Sequence, residues 1–252
     1  MKKNVWIHGI SGRMGQILQA ELERKDSLKL LGGSDRTSSI AEIEEGLKQT
    51  QLLIDFSSEE GNLALFEAAK NIKPLKGLCL VICSTGLSNE QKKQWQTLIK
   101  QQEISLLFAP NTSLGILMLM KSALAVAGLS RHAGFDIEIE ETHHKYKKDI
   151  PSGTALFLAE TLQSALPGST LANSRKNERK DNEIGIVASR GGGVFGEHKI
   201  RFLGEFEEFS LSHRAFSRDL FAKGALVLGE WLLKKKAGVY TLNDISLEEM
   251  PR

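Results

Sequence analysis

The strongest constraint on how this chain folds is a unit repeated through its first half: a short apolar run ending in small polar residues, then a helix-forming stretch. The segment NVWIHGISGRMG carries an apolar strand into Gly9, Gly12 and Gly15, and a helical stretch follows from Gln16 to Lys25. The order recurs in QLLIDFSS with a helix from Glu59, GLCLVICS with a helix from Ser88, and EISLLFAPN with a helix from Ser113. Parallel strands need a long crossover, so strands alternating with helices predict a doubly wound parallel sheet. Ligands of such sheets lie beyond the carboxyl ends of the strands. Those ends carry Phe56-Ser57, Cys83-Ser84-Thr85-Gly86 and Pro110-Asn111-Thr112-Ser113, which are expected to line a nicotinamide pocket.

The glycines follow a G-x-x-G-x-x-G spacing, one residue off the usual dinucleotide fingerprint, and gain weight from the strand before and the helix after them. Gly12, Arg13 and Met14 start the helix, whose unpaired N–H groups and dipole favour a pyrophosphate, and Arg13 can add a charge-assisted contact. Met14 suits either core packing or cofactor packing. A second strand, Leu28 to Ser34, ends in Asp35 and Arg36. Asp35 suits a ribose 2′-hydroxyl and Arg36 a 2′-phosphate, so the pair reads as tolerance of NADH and NADPH alike. A Rossmann-type domain is expected over residues 1–113 and 219–252.

From Phe135 the pattern changes. FDIEIEETHH alternates apolar and acidic residues, as a half-exposed strand does, and IGIVASR, VFGEHKIRFLG and FEEFSLSHRA read as successive antiparallel strands around a bend at Gly191 to Gly193. Residues 114–218 are expected to form an α+β domain with an open, mostly antiparallel sheet that binds substrate and supports assembly. Ser169 to Glu183 is polar and reads as a long mobile loop, made basic by Arg175, Lys176, Arg179 and Lys180. A helix from Arg218 then presents a broad apolar face, and VYTLNDISLEEM is expected to close back on the first domain.

Charge narrows the partners. Lys and Arg number 33 against 31 Asp and Glu, no excess to neutralise a nucleic acid backbone, and the basic loop has no interleaved aromatic for base stacking. Apolar runs such as Leu114 to Leu119 read as too short to span a bilayer, no basic and apolar leader is seen, and a cytoplasmic protein is expected. Cys79 and Cys83 alternate onto one strand face and read as buried free thiols.

Packing alone does not ask for ETHHKYKKDIPSGTA, Glu141 to Ala155. His143 offers a proton donor near neutral pH, and Lys147 a cation four residues further on. Ser152 or Thr154 is expected to cap a helix over Ala155 to Leu166, leaving the N–H groups around Gly153 and Thr154 as an unpartnered carboxylate cradle. With His144 and Lys147 beside it, the loop matches a small dicarboxylate. The paired histidines lack the further ligands of a zinc site, so no metal is expected.

These residues resemble the 4-hydroxy-tetrahydrodipicolinate reductase family, also called dihydrodipicolinate reductase. Its E-x-H-H-x-x-K-x-D-x-P-S-G-T-A signature stands at Glu141, His143, His144, Lys147, Asp149, Pro151, Ser152, Gly153, Thr154 and Ala155. GRMG at Gly12 to Gly15, IDFS at Ile54 to Ser57, GEH at Gly196 to His198 and SR at Ser217 and Arg218 extend the likeness over nearly the whole chain. The resemblance implies reduction of a small cyclic dicarboxylate by NADPH or NADH in lysine biosynthesis, by a homotetramer. It implies His143 as acid/base residue, Lys147 as second proton donor or substrate anchor, and His144, Gly153 and Thr154 as substrate contacts. The implied cofactor set is Gly9, Ile10, Ser11, Gly12, Arg13, Met14, Asp35, Arg36, Cys83, Ser84, Thr85, Pro110, Asn111, Thr112 and Ser113. Two departures stand out: the usual G-T-T-G loop reads Cys83-Ser84-Thr85-Gly86, and an aromatic frequent at the Thr112 position is absent.

Overall fold

A computed structural model describes residues 2–173, 175 and 178–250. The chain divides into two compact units, Met1–Ser113 with Asp219–Arg252, and Leu114–Arg218.

The first unit runs β1 (Lys3–His8), α1 (Arg13–Leu22), β2 (Leu28–Ser34), α2 (Ile40–Lys48), β3 (Leu52–Asp55), α3 (Glu59–Asn71), β4 (Cys79–Ile82), α4 (Asn89–Gln102) and β5 (Ser105–Phe108). The short strands β3 and β4 are buried at every position, which is why, Asp55 at the end of β3 apart, they read as apolar runs rather than alternating ones. Ser58 and Ser88 cap α3 and α4 by accepting the Gly61 and Gln91 N–H groups. The helix α2 was not marked in the sequence, although Ser39 and Glu42 form a capping box at its start.

The second unit holds α5 (Leu114–His132), β6 (Asp136–His143), α6 (Gly153–Ala165), β7 (Thr170–Asn173), β8 (Glu183–Arg190), β9 (Glu197–Leu203) and β10 (Glu208–Arg214). Its five strands lie in the order β10-β9-β6-β8-β7. The β9 strand pairs antiparallel with β10 and β6, whereas β6–β8 and β8–β7 are parallel, so the sheet is mixed rather than mostly antiparallel. The reason is α6, a crossover helix that returns the chain to the edge where β7 forms, after which β8 inserts beside β6. Part of the stretch expected as a mobile loop is therefore strand β7. Arg175 pairs with Glu138 and Glu183, and Arg179 with Asp136 and Glu138, while Lys176 lies outside the described residues.

Burial along β6 alternates, placing Ile137, Ile139, Glu141 and His143 on its buried face. By length and composition α5 is apolar enough to cross a bilayer, which corrects the expectation that every apolar stretch is too short. Its Ile116, Leu117, Met120, Ala123 and Ala127 are buried, and it packs on α6 and β10 as a core helix does.

The chain re-enters the first unit through α7 (Asp219–Leu232) and β11 (Gly238–Thr241). The last strand pairs parallel with β5, completing a six-stranded parallel sheet in the order β11-β5-β4-β3-β1-β2. Strand order reverses after β2, which lies beside β1 on the side away from β3. The crevice at such a reversal is where open parallel sheets bind ligands.

Candidate active site

Each unit brings together one part of the expected chemistry. In the first, β1 ends at His8 and the chain turns at Gly9, whose φ of +88° suits glycine. A Cβ on Gly9 would lie 2.9 Å from the backbone of Phe56 and Ser57, so β1 and the loop after β3 approach in a way only glycine permits. The Gly9 and Ile10 N–H groups both donate to Ser34 O, at 2.7 and 3.1 Å, and so are already used. The first turn of α1 has Gly12 as N-cap with no side-chain cap, which leaves its amides for an anion. Ser11, Gly12 and Arg13 around it are exposed.

Asp35 follows β2. It accepts from Thr37 N at 2.9 Å and Thr37 Oγ1 at 2.7 Å; these bonds, with one from Ser11, lower its pKa to about 2. It is thus an ionised acceptor at neutral pH, as a ribose hydroxyl requires, and Arg36 beside it is exposed. The glycine turn, the uncapped helix and this carboxylate fit a dinucleotide.

The later loops meet at a residue that sequence reasoning passed over. Asp55, fully buried at the end of β3, accepts from Ser57 N (2.8 Å), Ser57 Oγ (2.5 Å), Asn62 Nδ2 (2.8 Å) and Ser84 Oγ (2.8 Å). Asn62 in turn accepts from Trp95 Nε1 at 2.9 Å. One carboxylate thereby fixes the loops after β3 and β4. A lone acid ending an otherwise apolar strand was the available signal. Cys83 is buried with its Sγ 3.8 Å from Val81 O, and burial pushes its thiol pKa well up, so this side chain packs inward. Thr112 is also buried and donates to Phe221 O at 2.7 Å, which accounts for a small hydroxyl there. Thr85, Gly86 and Pro110 are exposed, while Asn111 Oδ1 accepts from Ser113 N at 2.9 Å.

The second unit assembles the central segment. His143 is the last residue of β6, and its Nδ1 is hydrogen-bonded to Glu141 Oε2 two residues earlier on the same strand face. The other Glu141 oxygen accepts from Arg190 Nη2 at 2.8 Å and Ser152 N at 3.0 Å. Burial acts to raise the Glu141 carboxyl, but the bonds from Arg190, His143 and Ser152 outweigh it and hold the pKa below the usual range. The His198 ring meets His143 edge-on, with centroids 5.1 Å apart, and its Nε2 lies 3.3 Å from Ser152 Oγ. Burial drives the His198 pKa down to about 3, which keeps that ring neutral and leaves His143 as the titrating member of the pair. The glycine bend holds the same segment from outside, Gly191 N donating to His143 O at 2.9 Å.

Ser152, rather than Thr154, caps α6, its Oγ accepting from Ala155 N at 3.2 Å. The cradle beyond it is not empty of partners, which corrects the sequence expectation. Asp149 Oδ2 accepts from Gly153 N at 3.4 Å, Asp149 Oδ1 pairs with Lys147 Nζ at 2.9 Å, and Thr154 is engaged within the protein. The reason is local: an acid four residues before Gly153 reaches back to the helix start. His144 Nδ1 is buried without a hydrogen-bond partner among the described residues. No group of three or more metal-binding side chains occurs among the described residues.

A parallel nucleotide-type sheet joined to a mixed-sheet unit with a buried histidine centre defines a two-domain NAD(P)-dependent oxidoreductase. Residues 3–112 match the family description "Dihydrodipicolinate reductase, N-terminus" and residues 115–245 its C-terminus. The chain is 37% identical to the 4-hydroxy-tetrahydrodipicolinate reductase of Aquifex aeolicus, covering 97% of this chain and 99% of that one, and 39% identical to that of Nitratiruptor sp., covering 96% and 98%. The chain therefore belongs to the dihydrodipicolinate reductase family. Among solved structures, a dipicolinate-bound dihydrodipicolinate reductase from Paenisporosarcina sp. TG-14 shares the fold with a TM-score of 0.74 at 22% identity, over 97% of this chain and 100% of that one. A DAP dehydrogenase of C. glutamicum shares it more distantly, with a TM-score of 0.61 at 8% identity, over 98% and 95%.

Proposed function

We propose that this chain reduces 4-hydroxy-tetrahydrodipicolinate to tetrahydrodipicolinate with NADPH or NADH, a step of lysine synthesis by the diaminopimelate route. The observation that carries the assignment of residues is the buried His143, hydrogen-bonded to Glu141 and set beside His144, Lys147 and the start of α6. When bound, the nicotinamide supplies the hydride. Gly9 to Met14, Asp35 and Arg36 hold the dinucleotide, and the loops at 83–85 and 110–113 border its nicotinamide end.

The remaining steps fall to the second unit. The substrate hydroxyl leaves as water together with a hydrogen from the neighbouring ring carbon, and the unsaturated ring so formed takes the hydride; His143 then delivers a proton from Nε2 to the ring carbon next to the one reduced, and its imidazole regains that proton from solvent. Lys147, His144 and the N–H groups of Gly153 and Thr154 bind the substrate carboxylates, one of which takes the place of Asp149 at Lys147 and Gly153. Steady-state NADPH oxidation with freshly generated 4-hydroxy-tetrahydrodipicolinate tests the reading. Turnover confined to an open-chain amino or imino dicarboxylate would move the chain to a different dehydrogenase activity.

Two substitutions test the binding assignments. Arg36→Ala should weaken NADPH more than NADH, because only NADPH carries the 2′-phosphate; equal losses in fluorescence titrations would remove Arg36 from cofactor choice. Lys147→Ala should raise KM and lower kcat together, since its ammonium holds the substrate in ground and transition states alike. Its partly exposed pair with Asp149 contributes about 0–1 kcal/mol, so the fold should be little affected. Unchanged kinetic constants would make Lys147 a structural residue.

A cytoplasmic homotetramer completes the proposal. Helices α5 and α6 pack on the second sheet, whose β8 leaves Val187 52% exposed, a surface suited to a second copy. A monomer in sedimentation equilibrium would contradict it.

A further inference from the structure

We propose that Glu141 is a positioning residue for proton transfer: with Arg190 and the Ser152 N–H behind it, its carboxylate fixes the His143 ring as the Nδ1–H tautomer and leaves Nε2 as the atom that gives the proton. The inference rests on the reading that His143 carries the proton, and assigns the group that aims it.

The geometry makes the case in three parts. An ionised carboxylate only accepts hydrogen bonds, so the ring nitrogen facing it must be the one that bears hydrogen in the neutral imidazole. Glu141 cannot turn away, because Oε2 meets His143 while Oε1 is held by Arg190 at 2.8 Å and by Ser152 N at 3.0 Å. Arg190 is itself anchored, donating to Asp149 O at 2.5 Å. The ring is bounded by His198 edge-on at 5.1 Å and by Gly196, where a Cβ would come within 2.9 Å of His143 Nε2. Any side chain in place of the glycine of the G-E-H motif would press on Nε2, while the histidine of that motif meets the ring edge-on.

Charge works in the same direction. Around His143, burial lowers the pKa, Glu141 raises it, and Lys147 and Arg190 lower it further; His198 stays neutral beside it. Glu141 thus supplies the main attraction for the proton that His143 must hold before it reacts. Removing that charge lowers the His143 pKa, so the activity that depends on its protonated form shifts to lower pH.

Glu141→Gln is the decisive variant. Its amide oxygen can still accept from Arg190 and Ser152 N–H, but its NH2 would face Nδ1 as a donor and force the opposite tautomer, with hydrogen on Nε2 at neutral charge. The expected result is a fall in kcat of about a hundredfold or more, a pH profile displaced to lower pH, unchanged NADPH affinity and a substrate KM within about threefold. Glu141→Asp, which keeps the charge, should recover part of the lost rate. A folded Glu141→Gln enzyme with wild-type kcat and pH profile would overturn the proposal while leaving the role of His143 intact, provided His143→Ala is inactive. Nitrogen NMR of His143 in the wild-type enzyme keeps the question open to test even if the variant does not fold. A neutral ring bearing hydrogen at Nδ1 is expected, and hydrogen at Nε2 would refute the assignment.

Discussion

His143→Ala should lower turnover by about two to four powers of ten while NADPH binding survives. The size follows from what is removed: a proton donor placed on a rigid strand end and locked by the buried Glu141, rather than a generic charge in a loop. Cofactor affinity should persist because the residues assigned to the dinucleotide belong to the first unit and His143 to the second. The fold should persist as well. Glu141 keeps its bonds from Arg190 and Ser152 N–H in the variant, so no buried carboxylate is left without a partner. In the wild-type enzyme burial holds the His143 pKa below its ordinary value. The protonated form is complete below that pKa and is lost as pH rises through it, so the rate limb governed by this residue should lie on the acid side of 6.5. Equal turnover in the variant and the wild type would remove His143 from the chemistry.

The second large effect is expected at Gly15. A Cβ there would lie 2.3 Å from Gly9 O and 2.5 Å from Ile10 O, and both are backbone atoms that cannot rotate aside. The substitution Gly15→Ala must therefore displace either α1 or the turn before it, at a cost of about 1–3 kcal/mol for overpacking. Each kcal/mol should lower the melting temperature by about 2–4 °C in a chain of this size. The same displacement moves the amides at the start of α1, so NADPH affinity should fall by about tenfold or more in a fluorescence titration. Should Gly15→Ala bind NADPH as tightly as the wild type, the glycine turn would not be the phosphate site.

The sequence carried much of the first unit because its strands are buried on both faces. Three apolar residues and a closing acid in β3, or four apolar residues in β4, mark a buried strand when serine caps the helix that follows. Helix α2 spans only 9 residues and interleaves Glu42, Glu44 and Glu45 with its apolar positions, so the capping box of Ser39 and Glu42 is its clearest mark. The second sheet was harder. Alternation marks a half-buried strand but says nothing of which neighbour it pairs with, so the parallel placement of β8 beside β6 became visible only in space. Strand β7 was hidden because Thr170 to Asn173 is short and polar at its ends, and it forms at the edge of the sheet.

The site shows the same division. His143, His144 and Lys147 could be singled out as reactive types in one segment, because local sequence holds them together. Their supports could not. Arg190 lies 49 residues from Glu141 and His198 lies 46 from Ser152, so only the pairing of β6 with β8 and β9 joins them. Asp149 is the reverse case. Its place beside Lys147 was plain, but its reach back to the Gly153 N–H is a matter of loop curvature that no spacing rule gives.

The central claim is that a hydride from the cofactor and a proton held at His143 reduce the same ring. Running the reaction with NADPH deuterated at the transferred position, in ordinary water, tests it most directly. The expected result is one deuterium retained in each tetrahydrodipicolinate formed, with a matching loss of NADPH and a rate that collapses in His143→Ala. Product that forms without deuterium, or deuterium transfer at wild-type rate in that variant, would contradict it.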